Sequence, residues 1–276
     1  MIVFPNCKIN LGLNVLRKRS DGFHELETVF YPLPVHDILE IVFFNKLRGR
    51  PGIPFSVSGL EIDSKKNSNL CIKALKLLKQ KFPQMPSVQL HLHKIIPAGS
   101  GLGGGSSDAA FTLKVLNEIW GLNLSVEQLI KHALELGSDC PFFIINKPCF
   151  SKGRGELLEE INLDLSTYKI VLVNPGIAIN TKEAFGGITP AIPDIPVKEI
   201  IKKPIEAWKA ELKNDFEQII FPQNPAIAKI KNDLYNAGAL YSSMSGSGST
   251  VFGIFSKEQS PGISFPLHYF VRELNG

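Results

Sequence analysis

A glycine- and serine-rich segment at the centre of the chain, residues 97–108, constrains the fold most strongly; its sequence is PAGSGLGGGSSD. Glycine adopts positive φ angles and lets backbone N–H groups approach a ligand closely. The first turn of a following helix adds N–H groups without partners, and the combination binds anions, phosphate above all. An apolar strand pattern enters the segment and an amphipathic helix pattern leaves it, which disfavours a flexible linker. The sequence therefore predicts a phosphate-binding loop.

Two common nucleotide-binding motifs do not match this segment. A P-loop has a lysine immediately before its serine or threonine, whereas glycine precedes Ser106. The dinucleotide fingerprint GxGxxG needs fewer glycines than the segment contains. A second segment of similar composition, residues 243–250, leads directly into an apolar strand pattern at residues 251–255. Two such loops in separate halves of the chain suggest one shared ligand-binding cleft.

Composition and charge narrow the class of protein. The chain has 276 residues, of which 44% are hydrophobic and 20% charged, as in ordinary globular proteins, and this length favours two modest domains. The net charge of +4 is spread out, so no nucleic-acid partner is expected. No apolar run has membrane-spanning length, so no membrane association is expected, and residues 1–6 lack the features of a signal peptide. A cytoplasmic protein is therefore expected. The four cysteines form no CxxC pair, which favours reduced thiols over disulfides or a zinc site.

Capping residues predict several helix ends. Ser68 is expected to cap a helix that continues through Lys81. Ser125 is expected to cap a later helix, with Gln128 completing a capping box. The helix that leaves the central segment is expected to stop at Gly121.

Three polar residues allow both a structural and a functional interpretation. Lys8 lies within an apolar strand pattern, where a lysine is either at a solvated edge or directed into a site, and its position alone favours the edge. A lone histidine such as His24 is usually structural. Asp139 lies between a helix end and an apolar run, where it either forms a turn or serves as a reactive acid.

Several segments in one consistent order resemble the GHMP kinases, in particular those whose acceptor carries a cytidine diphosphate. The central segment matches their P-x-x-x-G-L-G-[SG]-S phosphate motif, and residues 244–255 match their C-terminal glycine loop. The other matching segments are CKINL at 7–11, RSDGFHEL at 19–26, GGGSSDAA at 103–110, GSDCPFF at 137–143 and NDFE at 214–217. The resemblance covers nearly the whole chain and is weakest between residues 190 and 213.

The resemblance implies an α+β fold with two domains. Residues 1–155 are expected to form the N-terminal, ATP-binding GHMP kinase domain, an α/β domain with a left-handed βαβ unit. Residues 156–276 are expected to form a ferredoxin-like C-terminal domain, with the substrate between the two. The implied activity is ATP-dependent phosphorylation of the 2-hydroxyl group of 4-diphosphocytidyl-2-C-methyl-D-erythritol, in the non-mevalonate route to isoprenoids. Mg²⁺ is expected to be bound through the nucleotide and not by metal ligands of the protein, and no obligate protein partner is expected.

The resemblance also implies catalytic and ATP-binding residues. In the family, the position of Asp139 holds the carboxylate that takes the proton from the attacking hydroxyl, and the position of Lys8 holds a cation that offsets charge on the phosphoryl group. Lys94 is expected to approach the phosphates, although an exposed strand lysine is an alternative. The remaining ATP-binding residues are expected to be Pro97, Ala98, Gly99, Ser100, Gly101, Leu102, Gly103, Gly104, Gly105, Ser106 and Ser107.

Expectations for five residues around the nucleotide follow from the same resemblance. Ser106 or Ser107 is expected near the metal ion, and Asp108 only to favour the helix N-terminus. Asn67 and Asn69 lie where family members approach the adenine.

At the cytidine end, the family stacks cytosine between aromatic rings and reads its edge with a histidine. His24 fits that histidine, Phe23 and Phe185 fit the two rings, and Asn10 is expected to contact the erythritol. The family usually has tyrosine where Phe23 stands. Stacking survives this change, but a hydrogen bond from the hydroxyl group does not, so the preference for cytosine is less firmly implied than the reaction.

Two alternatives stand beside this interpretation. One is another kinase of the same superfamily, such as a mevalonate or homoserine kinase. The other is a catalytically inactive ligand sensor that keeps the fold for regulation. Such a sensor would be free to lose Lys8 or Asp139, and both are present.

Overall fold

The computed structural model of the chain describes residues 1–43, 54–61, 68–259 and 262–275. It divides the chain into two compact units, each built from separate stretches of sequence. The first unit contains Met1–Cys7, Leu33–Ala98 and Gly103–Lys147. The second unit contains Lys8–Pro32, Gly99–Leu102 and Pro148–Gly276.

The strands of the described residues form three sheets. In chain order they are β1 (Ile2–Val3), β2 (Asn6–Lys18), β3 (His24–His36), β4 (Ile38–Phe43), β5 (Phe55–Gly59), β6 (Val88–Lys94), β7 (Cys149–Lys152), β8 (Leu157–Glu160), β9 (Tyr168–Asn174), β10 (Tyr241–Met244), β11 (Val251–Ser256) and β12 (Phe270–Asn275). The sheet orders are β1-β4-β6-β5, β2-β3-β7-β8 and β10-β11-β9-β12.

The helices of the described residues occur in two groups. Those of the first unit are α1 (Leu70–Lys81), α2 (Gly104–Ile119), α3 (Val126–Leu136) and α4 (Cys140–Ile145). Those of the second are α5 (Thr181–Gly187), α6 (Val197–Ile200), α7 (Ile205–Glu211), α8 (Glu217–Gln223) and α9 (Pro225–Asn236). Among the described residues, no helix combines the length and the apolar character needed to span a membrane.

The first unit is built on a βαβ arrangement. β5 and β6 are parallel neighbours joined through α1, whereas β4 pairs with β6 in the antiparallel sense. Alternate residues of β6, namely Val88, Leu90 and Leu92, are buried, as expected for a strand with one face on a core. This core positions the end of β6, from which the central glycine segment departs.

The second unit contains an antiparallel sheet of four strands. β9 lies between β11 and β12, and β10 pairs with the far side of β11. Five helices separate β9 from β10, and β11 returns to β12 through a segment without helix in its described residues. Residues of β9, β11 and α9 form its core, including Val171, Val173, Phe255, Ile230 and Leu234. The mixed helix and strand content of the two units confirms the predicted α+β class.

Two of the predicted helix ends are confirmed and one is wrong. Ser125 and Gln128 form the reciprocal capping box at the start of α3, and α2 ends just before Gly121, which has a φ angle of 61°. α1 is capped by Asn69 and not by Ser68, because the Asn69 side chain accepts a hydrogen bond of 2.9 Å from the N–H group of Cys71.

Candidate functional site

The central glycine loop, defined here as residues 97–107, connects β6 to α2. Gly101 and Gly103 have φ angles of 81° and 71°, which other residues adopt only with strain. Gly103 is the N-cap of α2, and no side chain caps this helix. The first intrahelical bond is donated by the N–H group of Ser107 to the carbonyl of Gly103 at 2.9 Å. The N–H groups that precede it are therefore suited to an external anion.

Exposed and buried residues alternate along the central glycine loop. Ala98, Gly99 and Gly105 are exposed, whereas Leu102 and Ser107 are wholly buried. The buried side chains anchor the loop in the protein, and the exposed glycines present main chain. A ligand of this loop would therefore meet backbone atoms more than side chains, as predicted for a phosphate group.

A second glycine loop, defined here as residues 244–250, contacts the first half of the central one. The Ser245 hydroxyl group donates to the carbonyl oxygen of Gly101 at 2.9 Å, and the N–H group of Thr250 donates to the carbonyl of Ser100 at 3.1 Å. A Cβ atom on Gly101 would collide with the carbonyl oxygen of Ser245. The two loops, 144 residues apart at this contact, thus require glycine where they meet.

Lys8 lies against the same stretch of the central loop. Its side chain is 3% exposed, and its ammonium group donates to the carbonyl of Gly101 at 2.9 Å and to Asn10 Oδ1 at 2.6 Å. The ammonium group also lies 5.1 Å from the centroid of the Phe30 ring. The solvated-edge interpretation of Lys8 is therefore wrong, because the strand that contains it is covered. A buried ammonium group beside such a loop is suited to offset the charge of an anion.

Asn10 connects this lysine to its surroundings. Its Nδ2 group donates to the Thr28 hydroxyl at 3.0 Å, and its backbone N–H donates to the Ser245 hydroxyl at 3.2 Å. The Thr28 hydroxyl in turn donates to the carbonyl of Gly12. This geometry makes Asn10 a residue that orients Lys8; direct contact with a substrate stays a prediction.

Two residues that support the second glycine loop were not predicted as site residues. The Nδ2 group of Asn214 donates to the carbonyls of Met244 and Gly246 at 2.7 and 2.8 Å. Ser245 contacts both Gly101 and Asn10, as described above. Asn214 belongs to the NDFE segment and Ser245 to the serine-rich loop, so both lie in segments that the sequence singles out. Neither segment shows by its sequence which atoms these two residues contact.

Asp139 immediately precedes α4 in the first unit. It is half-buried, and the next residue, Cys140, is buried against the second half of the central glycine loop. Burial raises the pKa of the Cys140 thiol to about 12, partly offset by a hydrogen bond with the Ser106 side chain. Asp139 therefore neighbours a residue in direct contact with Ser106. This position suits a carboxylate that acts near a ligand of the loop.

Lys94 lies at the end of β6, within a cluster of buried charges. It is 3% exposed, and its ammonium group contacts Asp37 and lies 2.9 Å from Asp108 Oδ2. Asp37 also accepts hydrogen bonds from the N–H groups of Ile95 and Ile96, at 2.6 and 2.9 Å. The alternative of an exposed strand lysine is therefore wrong. The cluster fixes the strand end that enters the loop, and contact of Lys94 with a nucleotide stays a prediction.

Burial dominates the titration of this charge cluster. It raises the pKa of Asp108 to about 7, although the neighbouring Lys94 opposes the shift. Burial also disfavours the charged form of Lys94. The attraction of Asp108 and Asp37 outweighs this effect, so the pKa of Lys94 is raised. Asp108 is thus a buried partner of Lys94 in the first turns of α2. Its Oδ1 atom has no hydrogen-bond partner among the described residues.

The aromatic residues predicted for a nucleobase lie in the second unit. The His24 ring stacks on Phe185 with centroids 5.0 Å apart and an interplanar angle of 11°. Phe185 also makes an edge contact with Phe216. Partial burial lowers the pKa of His24, with a smaller effect from the charge of Lys18, which favours a neutral imidazole at neutral pH. The structure therefore brings two of the three predicted residues together.

Phe23 has a different neighbour. Its side chain is 52% exposed, and the Arg154 guanidinium carbon lies 4.6 Å from the centroid of its ring. Sequence reasoning gave Arg154 no role. The predicted pairing of Phe23 with Phe185 around a base stays a prediction.

Adenine and metal contacts were also expected. Asn69 caps α1 with its side chain, and Asn67 lies outside the described residues. Among residues 1–43, 54–61, 68–259 and 262–275, there is no group of three or more His, Cys, Asp or Glu side chains suited to a metal ion.

Sequence profiles of known families match both halves of the chain. The profile of the GHMP kinase N-terminal domain matches residues 69–147. The profile of the GHMP kinase C-terminal domain matches residues 197–263.

Curated relatives match nearly the full length. A 4-diphosphocytidyl-2-C-methyl-D-erythritol kinase of Bacteroides fragilis is 51% identical over 259 residues, which cover 94% of this chain and 93% of the relative. The enzyme of the same name from Parabacteroides distasonis is 49% identical over 257 residues, covering 93% and 92% of the two chains.

Two solved kinase structures superimpose on the chain. A crystal structure of 4-(cytidine 5'-diphospho)-2C-methyl-D-erythritol kinase superimposes with a TM-score of 0.77 at 30% identity, covering 92% of this chain and 90% of the other. A homoserine kinase of Cytophaga hutchinsonii superimposes with a TM-score of 0.70 at 15% identity, covering 98% and 94% of the two chains. The second similarity concerns the fold alone.

Proposed function

The chain belongs to the GHMP kinases, in the branch of the 4-diphosphocytidyl-2-C-methyl-D-erythritol kinases, and from this premise we propose how its residues carry out the reaction. It is an ATP-dependent kinase of isoprenoid biosynthesis that phosphorylates the cytidine-linked alcohol on its 2-hydroxyl group. The observation that carries this assignment is 51% identity to a named relative over 94% of the chain.

The proposed catalytic residues are Asp139 and Lys8. Asp139 accepts the proton that leaves the attacking hydroxyl group. Phosphoryl transfer tolerates a weak base here, because the bond to the leaving group breaks early and the proton departs late. Lys8 offsets the charge that collects on the phosphoryl oxygens. Its burial supports this role, because a buried ammonium group is a preorganised charge that water screens little.

The proposed ATP-binding residues are those of the central glycine loop, through their backbone N–H groups. The absence of a side-chain cap on α2 supports this proposal, since the first N–H groups of the helix then remain available to phosphate oxygens. Pro97 and Ala98 begin the loop, and the exposed Gly99 and Gly105 leave its main chain accessible to a ligand.

Mg²⁺ is proposed as the cofactor, bound mainly through the nucleotide. It prefers hard oxygen ligands and usually keeps only one or two from the protein. Of the two serines at the start of α2, Ser107 is wholly buried and Ser106 is half-buried. The Ser106 hydroxyl is therefore the better candidate ligand. When bound, the ion would neutralise phosphate charge, as in other phosphoryl transfers.

The proposed substrate is a small molecule with a cytidine diphosphate group. His24, neutral at neutral pH because burial lowers its pKa, suits hydrogen bonding to the edge of the base. Phe23 and Phe185 supply stacking surfaces, and Asn10 is proposed to contact the erythritol or to orient Lys8. The four cysteines are buried thiols that form no disulfide, which fits a reducing compartment, so we place the reaction in the cytoplasm.

A substrate competition distinguishes this function from the alternatives. Purified protein is incubated with ATP, Mg²⁺ and either the cytidine-linked methylerythritol, mevalonate or homoserine, and ADP release is measured for each. We expect turnover with the cytidine-linked alcohol alone. Phosphorylation of mevalonate or homoserine in its place would overturn the assignment. Binding of the cytidine compound without any turnover would favour the inactive sensor.

A further inference from the structure

Arg154 lies on the turn between β7 and β8, and its guanidinium group covers the ring of Phe23. The distance of 4.6 Å from the guanidinium carbon to the ring centroid is typical of a cation–π contact. More than half of the Phe23 side chain is nevertheless exposed. The ring is therefore held by a cation while much of its surface stays open.

The turn that carries Arg154 is itself fixed. The N–H group of Leu26 donates to the carbonyl of Gly153 at 2.8 Å, which ties the turn to β3. Glu156 accepts a hydrogen bond from the N–H group of Arg154, and its Oε1 atom lies 3.6 Å from Arg154 Nε. Glu156 therefore contacts both the backbone and the side chain of Arg154.

The backbone of Phe23 is held in a comparable way. Its N–H group donates to Asp21 Oδ1 at 3.1 Å, and Asp21 is paired with Arg19 at 2.8 Å. The ring of Phe23 contacts the Arg154 guanidinium group, so the cation restrains the orientation of the ring.

Of the two rings proposed for the base, Phe185 already has His24 stacked on it. Phe23, which is 52% exposed, offers more open surface than the half-buried Phe185. Resting on the proposed function, we propose that Arg154 is a substrate-positioning residue, which holds the Phe23 ring as the platform on which the cytosine of the substrate stacks. A ring oriented in advance loses less conformational entropy when the base binds. Arg154 thereby supplies orientation at a position where the usual tyrosine hydroxyl is missing.

The test replaces Arg154 by methionine, which keeps an unbranched apolar stem and removes the guanidinium group with its charge. We expect R154M to raise KM for the cytidine substrate about two- to thirtyfold, the range that a cation–π contact of this kind can supply, with kcat and KM for ATP within twofold of wild type. The matched control is K152M, on the same hairpin. Lys152 lies 5.4 Å from the centroid of the Phe150 ring, so K152M removes a contact of the same kind on a ring that is buried and not accessible for stacking. K152M should leave both KM values unchanged.

A double-mutant cycle shows whether Arg154 acts through Phe23. In an F23L background, R154M should have little further effect on KM for the cytidine substrate. An equal effect of R154M in both backgrounds would overturn the proposal, as would an unchanged KM in R154M or an equal rise of KM for ATP. R154Q serves as a second variant and should behave like R154M.

The outcomes also separate this inference from the proposed function. If wild-type protein does not phosphorylate the cytidine substrate, the function fails, and this inference fails with it. If wild type turns over normally while R154M and R154Q match it in KM, only the role of Arg154 fails.

Discussion

The Ser245 hydroxyl group donates to the carbonyl oxygen of Gly101 at 2.9 Å, and the Lys8 ammonium group donates to the same oxygen at the same distance. Two donors from distant parts of the chain thus fix one peptide group of the central glycine loop. Because a trans peptide is planar, the N–H group of Leu102 must point away from them. The orientation of an N–H group in the loop is therefore set by residues outside it.

Removing the Ser245 hydroxyl should disturb this arrangement. S245A leaves the N–H group of Asn10 without its acceptor and the carbonyl of Gly101 with one donor fewer. We expect kcat/KM for ATP to fall about tenfold and the free energy of unfolding to fall by about 1–3 kcal/mol. Steady-state kinetics and urea denaturation measure both.

Ser242 provides the matched control for that variant. It lies on β10 near Ser245 and is equally buried, but its hydroxyl has no hydrogen-bond partner among the described residues. S242A should therefore leave kcat/KM unchanged. If S245A proved as harmless as S242A, the Ser245 hydroxyl would not hold the loop.

Asp139 should be required for the chemical step but not for nucleotide binding. D139N keeps the size of the side chain and removes the base, so kcat should fall about 10²–10⁴-fold, the usual contribution of a general base. The Kd for ATP, measured by calorimetry, should stay within a few-fold of wild type. D164N, at an exposed position, is the control. Undiminished turnover in D139N would remove Asp139 from the mechanism.

His24 should affect the cytidine substrate selectively. H24A removes both the stacking partner of Phe185 and the proposed reader of the base. We expect KM for the cytidine substrate to rise about tenfold, the value of one hydrogen bond, with KM for ATP within twofold of wild type. H132A, on α3, should change neither value. Equal increases in both KM values in H24A would place His24 outside the cytidine site.

Restoring the usual tyrosine at position 23 tests the sequence departure noted above. F23Y keeps the ring under Arg154 and adds a hydroxyl group. If that group hydrogen-bonds the substrate, KM for the cytidine compound should fall by about two- to tenfold. Competition between cytidine- and uridine-linked substrates measures the accompanying selectivity. A higher KM in F23Y would show that the hydroxyl has no place at this site.

Asp108 should give the folding stability a dependence on pH. Its carboxyl group has a pKa of about 7 in the folded protein, mainly because of burial, against an ordinary value of 3.8. The folded state therefore holds this proton more tightly than the unfolded chain does. The resulting stabilisation is complete below about pH 4 and is lost as the pH rises toward 7, with a slope of at most about 1.4 kcal/mol per pH unit.

D108N removes this titration without changing the shape of the side chain. Urea denaturation at intervals from pH 4 to pH 8 should show a smaller loss of unfolding free energy with rising pH in D108N than in wild type. D233N, which removes a surface ion pair with Lys229, should keep the wild-type slope. Parallel curves for D108N and wild type would contradict the raised pKa.

The sequence alone determined those features that a few neighbouring residues specify. The glycine run between a strand and a helix predicted the central loop, and Ser125 with Gln128 predicted the start of α3, because capping and turn formation involve residues within one turn of each other. The α+β class followed from the family resemblance. The predicted N-cap of α1 was nevertheless wrong: Ser68 was expected and Asn69 caps the helix. Serine and asparagine are both favoured at the N-cap, so the sequence does not decide between two adjacent candidates.

Only the tertiary structure decided what each of these residues contacts. Lys8 and Gly101 are 93 residues apart, and no local pattern shows that one covers the other. Lys94 continues the buried alternation of β6, but a lysine charge predicts solvation, and only folding brings Asp37 and Asp108 beside it as countercharges. Arg154 meets Phe23 because residues 8–32 and 148–276 belong to one compact unit. Burial and pairing of charges depend on chain segments that meet only after folding, and for that reason the sequence left them open.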